Sequence, residues 1–137
     1  MNEIGFTSQE RGLTMQGVLT QIERKNLSEP DEKRIFDKGE VELASVGGIT
    51  FGRATLQPGW RWSTCVKPLV KTKSCEAPHL QYQVSGRLHV VMDDGTTVEF
   101  VPGDVANIPA GHDAWVVGNE PVVIVDITGM AEYAKPK

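Results

Sequence analysis

The chain has 137 residues, 39% of them hydrophobic, and a formal net charge of −4 at pH 7. This length predicts one domain that can close a single hydrophobic core. The acidic balance argues against nucleic acid as a partner, because phosphate binding relies on an excess of Lys and Arg. No apolar run reaches the roughly 18 residues that a membrane-spanning helix needs, so we expect no membrane partner.

The amino terminus lacks a basic start followed by an apolar segment. The sequence therefore predicts no secretory signal and a cytoplasmic location. In that compartment the two cysteines, Cys65 and Cys75, are expected to be thiols or metal ligands and not a structural disulfide.

Residues 1–30 do not share the pattern of the rest and are expected to form an N-terminal extension. Within it, residues 17–25 fit a short helix or a strand equally well. Residues 28–34, which run past its end, are predicted to be a polar linker. From residue 35 the pattern changes to short strands separated by turn residues. Strands are predicted over residues 41–46, 49–57, 80–84, 88–92, 96–101, 105–108, 114–117 and 122–128. Residues 131–137 are expected to be a loosely held C-terminal tail.

Turn residues separate these strands at short intervals. Asp93-Asp94-Gly95 is typical of a tight β-hairpin, because Asp-Gly tolerates the positive φ that such turns demand. Short strands at this spacing, with no convincing helix among them, predict an all-β antiparallel sandwich or barrel over residues 31–130.

Two blocks of the sequence resemble the cupin superfamily of small conserved β-barrels. The second cupin block has the form Gly, five residues, Pro-x-Gly, and Gly103, Pro109 and Gly111 match it. The first block ends in a glutamate that a glycine follows after six residues, and here that frame runs from His79 to Gly86, with histidine in the glutamate's place. The resemblance implies a double-stranded β-helix, or jelly-roll, barrel.

The metal-ligand set of the family is altered in this chain. Metal-binding cupins use two histidines and a glutamate from the first block and a histidine from the second. Counting back from His79, the position of the second histidine falls on or beside Cys75. The first falls at Lys73 or, with an inserted loop, at Cys65, and the second-block histidine falls at Ala114.

A different set of ligands is available in the same frame. His112 lies two residues before Ala114 and shares its strand face by alternation. The candidate metal ligands are therefore Cys75, His79 and His112, with Cys65 as a further candidate. Thiolate and imidazole suit a divalent ion such as zinc, iron, nickel or copper. The alternative is that Cys75 is a small buried hydrophobe and both histidines are hydrogen-bonded or exposed.

The predicted strand over residues 80–84 has two unlike faces. His79, Gln81 and Gln83 share the polar face. The cupin register points that face into the barrel, so Gln81 and Gln83 are predicted to line a polar ligand pocket. The opposite face is expected to pack on another sheet or on the second subunit of a homodimer, through Leu80, Tyr82 and Val84.

Tryptophans extend the predicted pocket. Trp60 and Trp62 share a face two residues apart and could grip a flat or apolar ligand, although core or interface packing also explains them. Trp115 is expected to cap the same cavity. The lysines between the two cysteines are expected to form a solvated basic loop or to steer an anionic ligand.

Two main classes of function fit these features. One is a metal-dependent enzyme, such as an oxygenase, isomerase or lyase, acting on a small polar metabolite. The other is a non-catalytic module that binds or senses a small ligand with a degenerate metal site. A barrel used for assembly is a third reading that fits with either of them. No organic cofactor is predicted, and the sequence leaves catalysis open.

Overall fold

The computed structural model describes residues 20–128, 130 and 133–136. Residues 1–19, which make up most of the predicted N-terminal extension, lie outside the described residues. So does the start of the segment 17–25, whose pattern fits a helix and a strand equally well. Residues 20–31 are described without helix or strand.

Within residues 20–128, nine strands form two antiparallel sheets. The larger sheet has the strand order β1-β2-β3-β9-β4-β7, and the smaller sheet has the order β6-β5-β8. The strands are β1 (Glu32–Phe36), β2 (Gly39–Val46), β3 (Ile49–Leu56), β4 (His79–Ser85), β5 (Arg87–Met92), β6 (Thr97–Phe100), β7 (Val105–Ile108), β8 (His112–Val117) and β9 (Val122–Asp126). The all-β prediction is confirmed, and β7 has the bounds that the sequence predicted.

The sequence did not predict β1, which lies in part of the supposed polar linker. Among the described strands, this one is at the edge of the larger sheet and pairs with β2 alone, from Glu32 opposite Leu43 to Phe36 opposite Gly39. Of its five side chains only that of Phe36 is buried. A charged, exposed edge strand is a common way to protect a sheet from further pairing, and its composition resembles that of a linker.

Two single-turn helices connect β3 to β4, where the sequence predicted none. They are α1 (Trp62–Cys65) and α2 (Lys67–Val70), and Lys71, the residue that caps α2, has a φ of 62°. Four residues are too few for a helical period to show in the sequence. In the part of the chain that the structure describes, no helix is both long and apolar enough to cross a membrane.

The core lies between the two sheets, and the C-terminal segment covers part of it. Met130, Tyr133 and Ala134 are all buried, so the expectation of a loosely held tail is wrong. Arg34 on β1 secures the segment, because its Nη1 donates to the carbonyl oxygens of Met130 (3.2 Å) and Tyr133 (2.7 Å). Met130 packs directly on Gly52 of β3, where a Cβ would come within 2.4 Å of the methionine Cγ.

Candidate metal site

Backbone pairing brings the sulfur and the two imidazoles together. Cys75 lies just before β4, His79 is the first residue of β4, and His112 is the first residue of β8. The Cys75 amide donates to the carbonyl oxygen of His112 (2.8 Å), and the Gly111 amide donates to that of Cys75 (2.7 Å). This bridge fixes Cys75 beside His112, while the strand β4 places His79 four residues further along the chain.

The three side chains form one buried cluster. Their exposed fractions are 3% for Cys75, 6% for His79 and 4% for His112. One ligand atom from each lies within 4.8 Å of the others, and Cys75 Sγ is 3.9 Å from His79 Nε2. In a tetrahedral zinc site, bond lengths near 2.3 Å to sulfur and 2.0 Å to nitrogen separate these two atoms by about 3.5 Å. The donor set and its spacing therefore fit a metal ion.

Asp126 at the end of β9 orients His79. Its carboxylate is fully buried and accepts a hydrogen bond from His79 Nδ1, so that Nε2 faces Cys75. The other carboxylate oxygen accepts from the amides of Leu80 (3.3 Å) and Thr128 (2.8 Å). A carboxylate that holds the distal nitrogen of a histidine is a usual outer partner of a metal ligand, since it fixes the tautomer and raises ligand basicity.

Sequence reasoning missed Asp126, although a signal was present. Val122, Ile124 and Asp126 alternate on the inward face of β9, as their burial shows. A carboxylate at an inward position of an otherwise apolar strand needs a partner, because burying an unpaired charge is costly.

His112 is held in the form that binds a metal. Its Nδ1 donates to the carbonyl oxygen of Pro109 (2.8 Å), which leaves Nε2 for a ligand. Burial is the main cause that lowers the pKa of His112, and the nearby His79 lowers it further. A neutral imidazole is the species that coordinates metals.

The thiol of Cys75 is protonated when no cation is near. Burial raises the pKa of Cys75 to about 12, and the carboxylates of Asp113, Glu76 and Asp126 add to this effect. The cluster thus places a buried thiol and two imidazoles beside a buried carboxylate. A bound cation would supply the missing positive charge and favour the thiolate.

An inner cavity of about 30 Å³ lies inside the barrel next to this cluster, and Trp60, Trp62 and Gln81 help to line it. Both tryptophans are 2% exposed. Among the residues that the structure describes, Trp60 Nε1 and Gln81 Nε2 are buried donors without a hydrogen-bond partner. Both residues border the cavity, and each has a donor that lacks an acceptor in the described part of the chain.

An outer cleft of about 450 Å³ adjoins the inner cavity. Trp62, Cys75 and Tyr133 line both. The ring of Tyr133 lies 5.6 Å from that of His79, measured between centroids, and burial raises the pKa of Tyr133 well above its usual value. The sequence does not indicate this role, because Tyr133 belongs to the segment that it predicts to be loose.

Cys65 and Gln83 occupy places other than those predicted. Cys65 lies in α1 with Sγ 3.6 Å from a carboxylate oxygen of Asp37, outside the metal-ligand cluster. Gln83 does face inward, at 1% exposure, but its Nε2 donates to the carbonyl oxygen of Gly86 (3.0 Å). Neither residue lines the inner cavity or the outer cleft.

Trp115 does not cap the cavity, and that expectation is corrected. It follows Ala114 on β8, and alternation turns it to the outer face of the smaller sheet, opposite to the buried Ala114. There it stacks on His89, with 4.5 Å between ring centroids, and the guanidinium carbon of Arg61 lies 4.0 Å from its ring.

Known structures with the same architecture match the chain, whereas no family model and no curated protein sequence does. A protein of unknown function from Rhizobium leguminosarum is 20% identical with a TM-score of 0.58, covering 80% of this chain and 98% of that one. A sugar phosphate isomerase from a cupin superfamily, from Silicibacter pomeroyi, is also 20% identical, with a TM-score of 0.55 and coverage of 78% and 75%. The chain has the cupin fold.

A larger protein contains the same cupin fold. A variant of oxalate decarboxylase from Bacillus subtilis is 25% identical with a TM-score of 0.52, and the match covers 75% of this chain but 28% of that protein.

Within the cupin frame, Ala114 takes the position of the second-block histidine. His112, two residues earlier, lines the inner cavity together with Ala114.

Proposed function

We propose that this protein binds one divalent metal ion through Cys75, His79 and His112 and is a metal-dependent enzyme for a small polar metabolite. The observation that supports this most is the buried cluster whose ligand atoms lie within 4.8 Å of one another. Three protein ligands leave a coordination position for water or substrate, as in catalytic sites. Sulfur and imidazole donors suit zinc, iron, nickel or copper.

The side chains around the cluster would each have a defined task. Asp126 holds the tautomer of His79, and the donors Trp60 Nε1 and Gln81 Nε2 would orient an oxygen atom of the substrate. A metal ion at the cluster would supply a Lewis acid that polarises such an oxygen. This combination suits an isomerase or a lyase, with an oxygenase as a further class. The similar structures include a sugar phosphate isomerase and an oxalate decarboxylase.

Elemental analysis of the purified protein tests the metal site. We expect one metal ion per chain, and we expect a chelator to lower the melting temperature, because an ion that binds only the folded state stabilises it. The variants Cys75→Ser and His79→Ala should lose the metal. Cys65→Ser is the matched control and should retain it, since Cys65 lies outside the cluster. A folded protein without stoichiometric metal, unchanged by chelator, would contradict the proposal.

A non-catalytic module that binds or senses a small ligand is the second candidate. It is supported by Ala114, which replaces the histidine that the cupin pattern has at this position. Screening small metabolites by thermal shift, followed by product analysis, separates the two functions. Ligands that bind and remain unchanged in the metal-loaded protein would favour the module.

We further propose that two copies of the chain form a homodimer through the outer face of β4. Leu80, Tyr82 and Val84 are 46%, 48% and 47% exposed. Val105, which pairs with Tyr82 from the edge strand β7, is 78% exposed. Light scattering after gel filtration should give a dimer for the native chain and a monomer for Tyr82→Lys. A native monomer at micromolar concentration would contradict this.

The cytoplasm is the proposed compartment. Cys65 and Cys75 are both buried free cysteines, which fits a compartment where thiols stay reduced. Fractionation of cells that express a tagged chain tests this, and recovery from the secreted fraction would contradict it.

A further inference from the structure

The outer cleft and the inner cavity together have the features of a divided ligand site. The cleft is large enough for a small organic molecule, since such pockets typically start at about 300 Å³. The inner cavity, at about 30 Å³, has the volume of one water molecule or of a small polar group. Trp62, Cys75 and Tyr133 form the boundary between them.

The walls of the cleft are mostly apolar. Val66, Val70 and Ala77 contribute side chains from the β3–β4 connection, and Tyr133 and Pro136 contribute them from the C-terminal segment. These surfaces favour the body of a hydrophobic molecule, because each apolar group that leaves water contributes to binding.

The charges and donors of the site indicate which end of such a molecule points inward. Among the described residues, one acidic side chain, Glu76, and one basic side chain, Lys135, line the cleft, so these charges balance. By contrast, Trp60 and Gln81, which line the inner cavity, have buried donors, Nε1 and Nε2, that lack an acceptor among the described residues. Buried donors of this kind favour a ligand atom that only accepts hydrogen bonds.

We propose that the divided site binds a molecule with an apolar body and a terminal oxo group, either a ketone or a carboxylate. The apolar body occupies the outer cleft, and the oxo oxygen reaches the donors of Trp60 and Gln81 beside the metal cluster. This inference rests on the proposed function in one respect, since it places the oxo group next to the metal ligands. It names a narrower substrate class than a polar metabolite.

Titration with simple probes, followed by nitrogen–proton NMR of the three indole N–H signals, tests the proposal. The probes are the 2-ketones from 2-pentanone to 2-octanone, and hexanoate is the anionic probe. The signals of Trp62 and Trp60 should shift, whereas that of Trp115 on the outer face should not. Affinity should rise by about fourfold for each added CH₂ until the cleft is filled. The relative affinities of 2-heptanone and hexanoate distinguish a neutral from an anionic ligand.

Hexylammonium and three variants provide the controls. Hexylammonium offers only donors and should bind the zinc-loaded protein about tenfold or more weakly than 2-heptanone, because the zinc ion would occupy the acceptor nitrogens of His79 and His112 that line the cavity. Gln81→Met should weaken the ketones about three- to tenfold. Val70→Asp should weaken them about tenfold or more, whereas the matched change Val98→Asp on β6, outside both cavities, should have no effect.

The titrations are run on chelator-treated and on zinc-loaded protein, so the two proposals can fail separately. Ketone binding without zinc binding would overturn the proposed metal site and support the divided ligand site. If zinc binds but neither the ketones nor hexanoate shift the indole N–H signal of Trp62, only the divided ligand site is overturned. Equal binding of hexylammonium and 2-heptanone to the zinc-loaded protein, or equal effects of Val70→Asp and Val98→Asp, would also overturn it.

Discussion

Replacing Asp126 by asparagine should weaken metal binding while leaving the three ligands in place. The native carboxylate accepts from His79 Nδ1, which leaves Nε2 unprotonated and directed at Cys75. An asparagine amide can donate to Nδ1 instead, and the proton then moves to Nε2, where it blocks coordination. Loss of an outer partner of this kind typically costs about 10- to 100-fold in metal affinity, or about 1.4 to 2.7 kcal/mol.

Competition between the protein and a chromophoric zinc chelator measures this effect. Asp94→Asn is the matched control, because Asp94 lies in the exposed hairpin turn and caps the Thr96 amide (2.9 Å) far from the cluster. Circular dichroism establishes that both variants fold. A folded Asp126→Asn protein with the zinc affinity of Asp94→Asn would refute the role that we assign to Asp126.

Three further predictions concern the stability of the site. Gly52→Ala should lower the free energy of unfolding in urea by about 1 to 3 kcal/mol, because its Cβ would come within 2.4 Å of Met130 Cγ; with Met130→Ala added, the loss should be smaller than the sum of the two single losses. Arg34→Ala should speed hydrogen exchange at the Tyr133 amide, since it removes the bonds that secure the C-terminal segment, and unchanged exchange would contradict this. Because the pKa of Cys75 is raised, the metal-free folded state holds the thiol proton more tightly than the unfolded state does. This contribution to the free energy of unfolding is complete below pH 9 and is lost between pH 9 and about 12. Urea titrations should therefore show a loss of up to about 1.4 kcal/mol per pH unit in that range that Cys75→Ala lacks, and parallel profiles would contradict the assignment.

The sequence predicted the elements whose signals are local. Strand β7 was placed correctly because Gly103 and Pro109 bound it on either side. The glycine-rich frame also located Cys75, His79 and His112 on the barrel, and their clustering agrees with the cupin register. Alternation predicted the inward direction of Gln81, which lines the inner cavity.

What the sequence did not predict depends on contacts between distant segments. Asp126 lies 47 residues from His79, and only strand pairing between β4 and β9 shows that the two meet. The burial of Tyr133 depends on the same kind of long-range contact, with Arg34, which lies 99 residues earlier in the chain. The expectation for Trp115 is wrong because the alternation along β8, and not nearness to the second glycine block, determines the direction of its side chain.

Titration of the metal-free protein with Co²⁺ tests the central claim most directly, because a thiolate bound to cobalt produces a charge-transfer absorption in the near ultraviolet. The account predicts that this band saturates at one equivalent of Co²⁺ in the native chain and in Cys65→Ser. It should be absent from Cys75→Ser and weakened in His79→Ala and His112→Ala. A folded native protein that binds Co²⁺ without the band, or that retains the band in Cys75→Ser, would contradict a metal site built on Cys75.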